Sequence, residues 1–225
     1  LNKLPELEQY TLHRVYSLNE SYKNYFKLYD FHNLYKELLN FCTIDLSAFY
    51  FDIRKDTLYC DLKESEKRKN SIIVLNIILE SLLKWFAPIL SFTTEEIFAL
   101  INKDKKSIHL EEFIKFPKLF ENTKLSEKWV ELKKIRDICN ISIEEKRASK
   151  EIGSSLEANL TININNEQSK FIENIDLAEL CITSEVNIIK TNDKEVIKVE
   201  TKKAEGEKCP ICWKISKDRC QRHAL

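Results

Sequence analysis

The sequence predicts a mainly α protein: a helical bundle, then a small α+β unit, then a short cysteine-bearing tail. Three observations lead there. Only two Gly and four Pro occur in 225 residues, so helix breakers are scarce. Apolar residues recur at three- and four-residue spacing through the first two-thirds, and after Gly153 the pattern changes to alternation. The last 17 residues, CPICWKISKDRCQRHAL, hold three Cys and one His.

The spacing of Leu7, Tyr10, Leu12, Val15, Leu18, Tyr22, Tyr25, Phe26 and Tyr29 predicts a first helix from residue 6 to about 29. A second runs from Phe31 to Phe51, with Leu34, Leu38, Phe41, Cys42, Asp45 and Phe49 near one stripe. The stretch from Ser71 to Leu90 is apolar nearly all round, long enough to raise a membrane span. Asn76, Glu80, Lys84 and Pro88 interrupt it, so it reads as a central bundle helix that Pro88 ends or kinks. Thr93 and Glu96 form a capping-box pattern that opens a short helix through Leu100. From Ser126 a long helix sets Trp129, Leu132, Ile135, Cys139 and Ile143 on one face. Its other faces carry Lys133, Lys134, Arg136, Lys146, Arg147 and Lys150 among Glu. That is either a solvated face or a surface that tracks a nucleic-acid backbone.

The alternation from Leu156 to Ile164 predicts a half-buried strand, and a short helix is expected near Ser169 to Ile175. Residues 185–190 and 195–201 read as two paired strands around a turn at Asn192 and Asp193. Gly206 then releases the chain into the tail. The expected division is therefore 1–152 helical, 153–204 α+β, and 205–225 tail.

The tail carries the most specific chemistry. Cys209 and Cys212 form a Cys-x-x-Cys pair, Cys220 and His223 a Cys-x-x-His pair, and seven residues separate them. Each pair can converge on one point, and three thiolates with one imidazole complete a tetrahedral shell suited to Zn²⁺. All four positions come from protein, so the reading is one structural Zn²⁺ per chain with no open position for water. The tail has almost no apolar residues and is expected to be unfolded without metal. A redox Cys-x-x-Cys with an incidental His is the alternative. Trp213 follows the second Cys with no core to enter; it either shields the metal or offers a ring for a nucleic-acid base.

Lys+Arg and Asp+Glu balance at 36 each, which excludes a simple polycation, yet the charge is uneven. Residues 201–225 hold Lys202, Lys203, Lys208, Lys214, Lys217, Arg219 and Arg222 against Glu205, Glu207 and Asp218, a net of +4. That suits phosphates, or is merely a solvated tail. Cys42, Cys60, Cys139 and Cys181 are scattered singly, as small buried hydrophobes would be, and with no leader at the start they imply a reducing cytoplasm. The chain begins at Leu1 and contains no Met, so a segment of a longer protein is expected.

Catalytic chemistry is missing. Gly153 and Gly206 lie too far apart for a phosphate loop. His13, His32 and His109 stand without a nucleophile, and Asp45 and Asp52 read as capping or ion-pairing carboxylates. No catalytic residue is expected.

With these motifs in hand, the chain resembles the C-terminal segment of bacterial-type isoleucyl-tRNA synthetases. FCTIDLSAFYFDIRKDTLYCD (41–61), APILSFTTEEIF (87–98), SIHLEEF (107–113), IGSSLEANLTI (152–162) and KAEGEKCPICW (203–213) carry the likeness in order. The resemblance implies a class I synthetase anticodon-binding domain followed by a zinc module. It implies a ligase that joins isoleucine to its tRNA with ATP and edits misactivated valine. ATP and Mg²⁺ would belong to catalytic and editing domains upstream in the same polypeptide. It further implies a cytoplasmic monomer with no membrane contact. Trp213 would stack on a base, and Lys214, Lys217, Arg219 and Arg222 would hold phosphates, joined by Arg136, Lys146, Arg147 and Lys150 on the long helix. One departure is plain: the family usually closes its shell with a second Cys-x-x-Cys after a longer loop. A freestanding zinc-containing module for nucleic-acid or protein contacts is the alternative from another class.

Overall fold

The computed structural model of the chain describes residues 4–104, 106–191, 197–220 and 222–223. Two compact units emerge, Leu1–Arg54 with Leu62–Thr123, and Lys55–Asp61 with Lys124–Leu225.

Helices build the first unit: α1 (Glu6–Lys27), α2 (Phe31–Asn40), a π-helical stretch (Phe41–Phe51), the start of α3 (Asp52–Cys60, whose residues from Lys55 on belong to the second unit), α4 (Glu66–Phe86) and α5 (Ser91–Ile101). Local chemistry sets their starts. Asp30 caps α2 by accepting from the Asn33 amide at 3.2 Å, and Ser65 caps α4 by accepting from that of Arg68 at 3.4 Å. Leu12, Val15, Tyr22, Leu38, Phe41, Val74, Ile78 and Trp85 form the interior. Asn19 ties that interior together: its Oδ1 accepts from Trp85 Nε1 at 3.1 Å, and its Nδ2 donates to the Ile114 carbonyl at 3.1 Å.

A buried charge pair lies beside this core. Glu8 is 0% and Arg54 is 2% exposed. Arg54 donates from Nε and Nη2 to the two Glu8 oxygens at 2.5 and 2.7 Å. Ser71 Oγ and Tyr50 Oη add donors at 3.1 and 3.3 Å. Burial, then the Glu8 charge, pushes the Tyr50 phenol far up, so it stays protonated and donates.

The second unit rests on α6 (Thr123–Ala148) and a three-stranded sheet of order β2-β1-β3. β1 (Ala158–Asn165) is central, with Ala158, Leu160, Ile162 and Ile164 buried. β2 (Glu185–Thr191) runs parallel to it, with Leu160 opposite Val186. β3 (Lys198–Lys203) runs antiparallel, with Leu160 opposite Thr201. One-turn helices α7 (Asn166–Ser169) and α8 (Leu177–Leu180) lie between β1 and β2. The expected apolar face of α6 is buried at all five positions. Ser142 Oγ reaches Thr201 Oγ1 at 2.7 Å, which joins that helix to the sheet. A minimal hairpin, β4 (Glu207–Lys208) with β5 (Ile215–Ser216), carries the tail.

Several expectations are corrected. The strands expected at 185–190 and 195–201 do not pair with each other among the described residues; β2 and β3 both flank β1, whose apolar face makes it the natural centre, and residues 195 and 196 lie outside the described residues. Asn192 and Asp193 lie outside the described residues. The second helical run continues past Phe51 to Cys60; the expected Leu34, Leu38, Phe41 and Phe49 are buried, but through the π-helical turns Leu46 and Tyr50 join them while Cys42 and Asp45 are left half-buried. Asp45 ion-pairs with Arg14 at 3.0 Å. The capping box at Thr93 does not form: α5 starts at Ser91 after Leu90, and Thr94 Oγ1 bonds back to the Leu90 carbonyl at 3.0 Å. α4 is not buried all round, since Ile72, Ile73 and Leu79 are exposed. In place of one short helix at 169–175 there are two single turns, capped by Asn165 and Asp176. No helix among the described residues is long and apolar enough to cross a membrane.

Arg54→Met strands a carboxylate in the core and is expected to lower unfolding stability by about 3–5 kcal/mol, whereas Glu8→Leu with Arg54→Met recovers most of it. Urea titration of the three variants checks this. His13 gives a pH signature. Burial, then the Arg14 charge, lowers its pKa, and its Nδ1 accepts from the Asn122 amide at 3.0 Å, which requires neutral imidazole. The unfolded chain takes up this proton first as pH falls, so stability is full above about pH 6.5 and declines through the depressed folded value. His13→Gln should flatten that decline in melts between pH 7 and 5.

Candidate metal centre and nucleic-acid interface

The tail begins with a forced close approach. Gly206 has φ 122°, and a Cβ there would lie 2.1 Å from the Ser216 carbonyl oxygen, so only glycine lets β4 meet β5. The loop that follows folds into a knuckle. The Cys209 amide donates to the Lys214 carbonyl at 2.9 Å, and the Trp213 amide donates to the Cys209 carbonyl at 3.0 Å. Ile215 N donates to Ser184 Oγ at 2.6 Å, and that hydroxyl donates in turn to the Leu156 carbonyl, so the hairpin is seated against the start of the sheet.

Within this frame all four expected ligands come together. The Sγ atoms of Cys209, Cys212 and Cys220 and a ring nitrogen of His223 lie within 4.8 Å of one another. Cys212 Sγ is 3.8 Å from Cys220 Sγ, while His223 Nδ1 is 3.6 Å from Cys209 Sγ and 3.5 Å from Cys220 Sγ. A regular tetrahedron with metal–sulfur bonds of about 2.3 Å and metal–nitrogen bonds of about 2.0 Å has edges of roughly 3.8 and 3.5 Å. These three separations match a tetrahedral metal, and the donor set suits one in its chemistry. A redox pair would leave Cys220 and His223 without a reason to converge.

Electrostatics agree. Burial opposes ionisation of Cys209, but the amides of Cys212 and Ile211 hold its thiolate and bring its pKa down to about 6. Cys212 moves the other way, to about 12, because burial and then the neighbouring sulfurs resist more negative charge, despite the Lys214 amide. A cation at the centre removes that resistance. His223 Nε2 lies 2.8 Å from the Cys60 carbonyl; a proton on Nε2 leaves the Nδ1 lone pair facing the sulfurs.

The expected RNA contacts separate by environment. Trp213 is 60% exposed, with φ 63°, and Lys208 Nζ lies 5.8 Å from its ring centroid. Lys217 and Arg219 are exposed and Lys214 is half-buried; Lys217 pairs with Glu205 at 2.8 Å. On α6, Lys146 pairs with Glu151 at 2.8 Å and Arg147 with Glu144 at 2.5 Å. Lys150 occupies the left-handed position after the helix, at φ 61°. Two arginines have internal partners that spacing did not reveal. Arg136 Nε donates to the Leu180 carbonyl at 2.9 Å, and Arg222 bridges Asp56 and Asp61. The four scattered cysteines also divide. Cys139 and Cys181 are buried and hydrogen-bond each other, whereas Cys42 and Cys60 are half-buried. Cys60 Sγ lies 3.6 Å from the Ile211 carbonyl inside the knuckle. Nothing in the sequence signals that proximity, because 151 residues separate them.

Comparison with known proteins places the chain in a family. A family described as the anticodon-binding domain of tRNA ligase matches residues 8–162. The isoleucine–tRNA ligase of Pelagibacter ubique is 68% identical over 224 residues, covering 100% of this chain and 25% of its own length. That of Agrobacterium fabrum is 39% identical over 225 residues, covering 96% of this chain and 23% of its own. That of Brucella abortus is 37% identical, with the same two shares. The chain spans about a quarter of the length of these curated relatives. Because the family match covers well over half of the 225 residues, the chain belongs to the anticodon-binding domain family of tRNA ligases.

Proposed function

We propose that this chain is the tRNA-binding part of an isoleucine–tRNA ligase, holding the anticodon stem-loop while adenylation with ATP and Mg²⁺, and editing of valine, occur in other domains of the same polypeptide. The observation that carries it is the 68% identity to an isoleucine–tRNA ligase along the whole chain, which extends past the family match through the metal knuckle. In this reading residues 1–152 are the helical anticodon-binding domain, 153–204 a junction domain and 205–225 a Zn²⁺ module. The protein works as a cytoplasmic monomer. Three soft thiolates with one imidazole favour Zn²⁺ over hard cations, and the closed shell makes the metal structural.

Anticodon bases are unpaired, so they can be splayed onto an aromatic ring while cations hold the phosphates. Trp213 supplies the ring, and its exposure supports stacking over shielding. Lys214, Lys217, Arg219, Lys146, Arg147 and Lys150 supply phosphate contacts. The internal partners of Arg136 and Arg222 argue for structural roles there.

Metal analysis of the purified protein should give one zinc per chain. His223→Cys should keep it and His223→Ala should weaken it, while chelation abolishes the knuckle's amide signals and leaves the helical circular dichroism in place. Zinc absent from freshly purified protein would remove the structural-metal reading. In the full-length ligase, Trp213→Ala should weaken binding of isoleucine tRNA by roughly 5- to 150-fold, the value of one stacked base of about 1–3 kcal/mol. Trp213→Gly should weaken it equally while relaxing the left-handed backbone. Filter binding against non-cognate tRNA and duplex DNA at equal salt checks both variants; equal affinity for duplex DNA would favour a general nucleic-acid module.

A further inference from the structure

We infer that Arg222 is a positioning residue for the metal ligand beside it, and that with the Cys60 carbonyl it clips the tail to the end of α3 so that His223 offers Nδ1 to the metal. The inference rests on the zinc reading above and adds groups from outside the tail.

His223 alone is a poor fourth ligand. Among the described residues of the tail, its backbone is held by the bond from its amide to the Cys220 carbonyl at 3.1 Å. Its ring also has two nitrogens, either of which can bind a metal. The structure resolves both problems with residues more than 160 positions away. The Cys60 carbonyl closes α3, where no further turn of helix can use it, and it lies 2.8 Å from His223 Nε2. A hydrogen bond there places the proton on Nε2 and leaves Nδ1 to face the sulfurs of Cys209 and Cys220.

Arg222 fixes the backbone one residue earlier. Its Nε donates to Asp61 Oδ1 and its Nη1 to Asp56 Oδ2, and Nη2 reaches the Asp56 carbonyl at 3.3 Å. The Asp61 and Asp56 side chains are only 11% and 22% exposed, so these pairs are screened less than surface pairs. A guanidinium can span two carboxylates with separate N–H groups, which an ammonium cannot do in the same geometry. A third contact, from Cys60 Sγ to the Ile211 carbonyl at 3.6 Å, joins α3 to the loop of the first cysteine pair.

The test measures zinc affinity by competition with a chromogenic chelator on the native chain, Arg222→Gln, Arg222→Lys and Asp61→Asn. Circular dichroism monitors the helices, and ¹⁵N resonances of His223 report which nitrogen carries metal. Native protein should bind one zinc through His223 Nδ1 with Nε2 protonated. Arg222→Gln and Asp61→Asn should lose roughly 10- to 100-fold in affinity with helical signal unchanged, the range of outer-shell substitutions, and Arg222→Lys should not restore it. Affinities of Arg222→Gln and Asp61→Asn within about twofold of native, or ligation through Nε2, would overturn the positioning role while leaving the zinc reading intact. A native chain that binds no zinc would overturn the zinc reading itself, a result the first measurement separates from the others.

Discussion

Residues 205–223 face a charge problem before they face a folding problem. Three sulfurs and an imidazole are held within 4.8 Å of one another, with Cys209 tuned toward thiolate and Cys212 driven away from it. The hairpin around them has two residues in each strand, and apart from the two buried cysteines it has little to exclude from water. Apolar burial therefore contributes little to this segment, and a cation bound among these donors would favour their compact arrangement. Around this cluster lie the left-handed Trp213, Lys208 beside its ring and the contacts back to residues 55–61.

The first unit solves a different problem with different means. Two of its helices, α2 and α4, start at residues that cap them, and its interior is aromatic and aliphatic, yet it buries a full ion pair and an asparagine. Glu8 and Arg54 satisfy each other bidentately, and Tyr50 and Ser71 complete the carboxylate's acceptors. Such a pair adds little net stability over a packed apolar substitute, but it tolerates few registers. The π-helical stretch ends one residue before α3, and its wider turns carry Tyr50 onto the side where Glu8 lies. Asn19 likewise joins α1 to Trp85 and to the Ile114 carbonyl. These groups specify one way for α1, the π-helical run and α4 to pack.

What could be read from sequence divides along lines of chain distance. The buried face of α6, the alternating β1 and the ligand spacing in the tail are local patterns, and each was legible because its signal lies within a few turns or one strand. Strand pairing was not. The segments at 185–190 and 195–201 are neighbours in the chain, but the more apolar β1 claims both, and alternation carries no information about partner choice. The π-helical shift was hidden because Cys42 and Asp45 fit an ordinary 3.6-residue stripe. Arg222 looked like a phosphate ligand because its local surroundings are basic. Its carboxylate partners stand 161 and 166 residues earlier, and no spacing rule reaches that far.

Trp213 brings these threads together. A bulky residue at φ 63° has its Cβ crowded against its own backbone, at a cost of roughly 1–2 kcal/mol. The knuckle needs a left-handed residue at this point, where its amide turns back to the Cys209 carbonyl, and glycine would supply it without strain. The tail uses glycine where close approach demands it, at Gly206, so glycine is not foreign to this segment. Nor does the indole offset its strain by packing, since it is 60% exposed with Lys208 Nζ 5.8 Å from its ring. A strained backbone under an exposed aromatic face has no visible compensation among the described residues; in the reading proposed above, a base stacked on that face would supply one of the right size and sign.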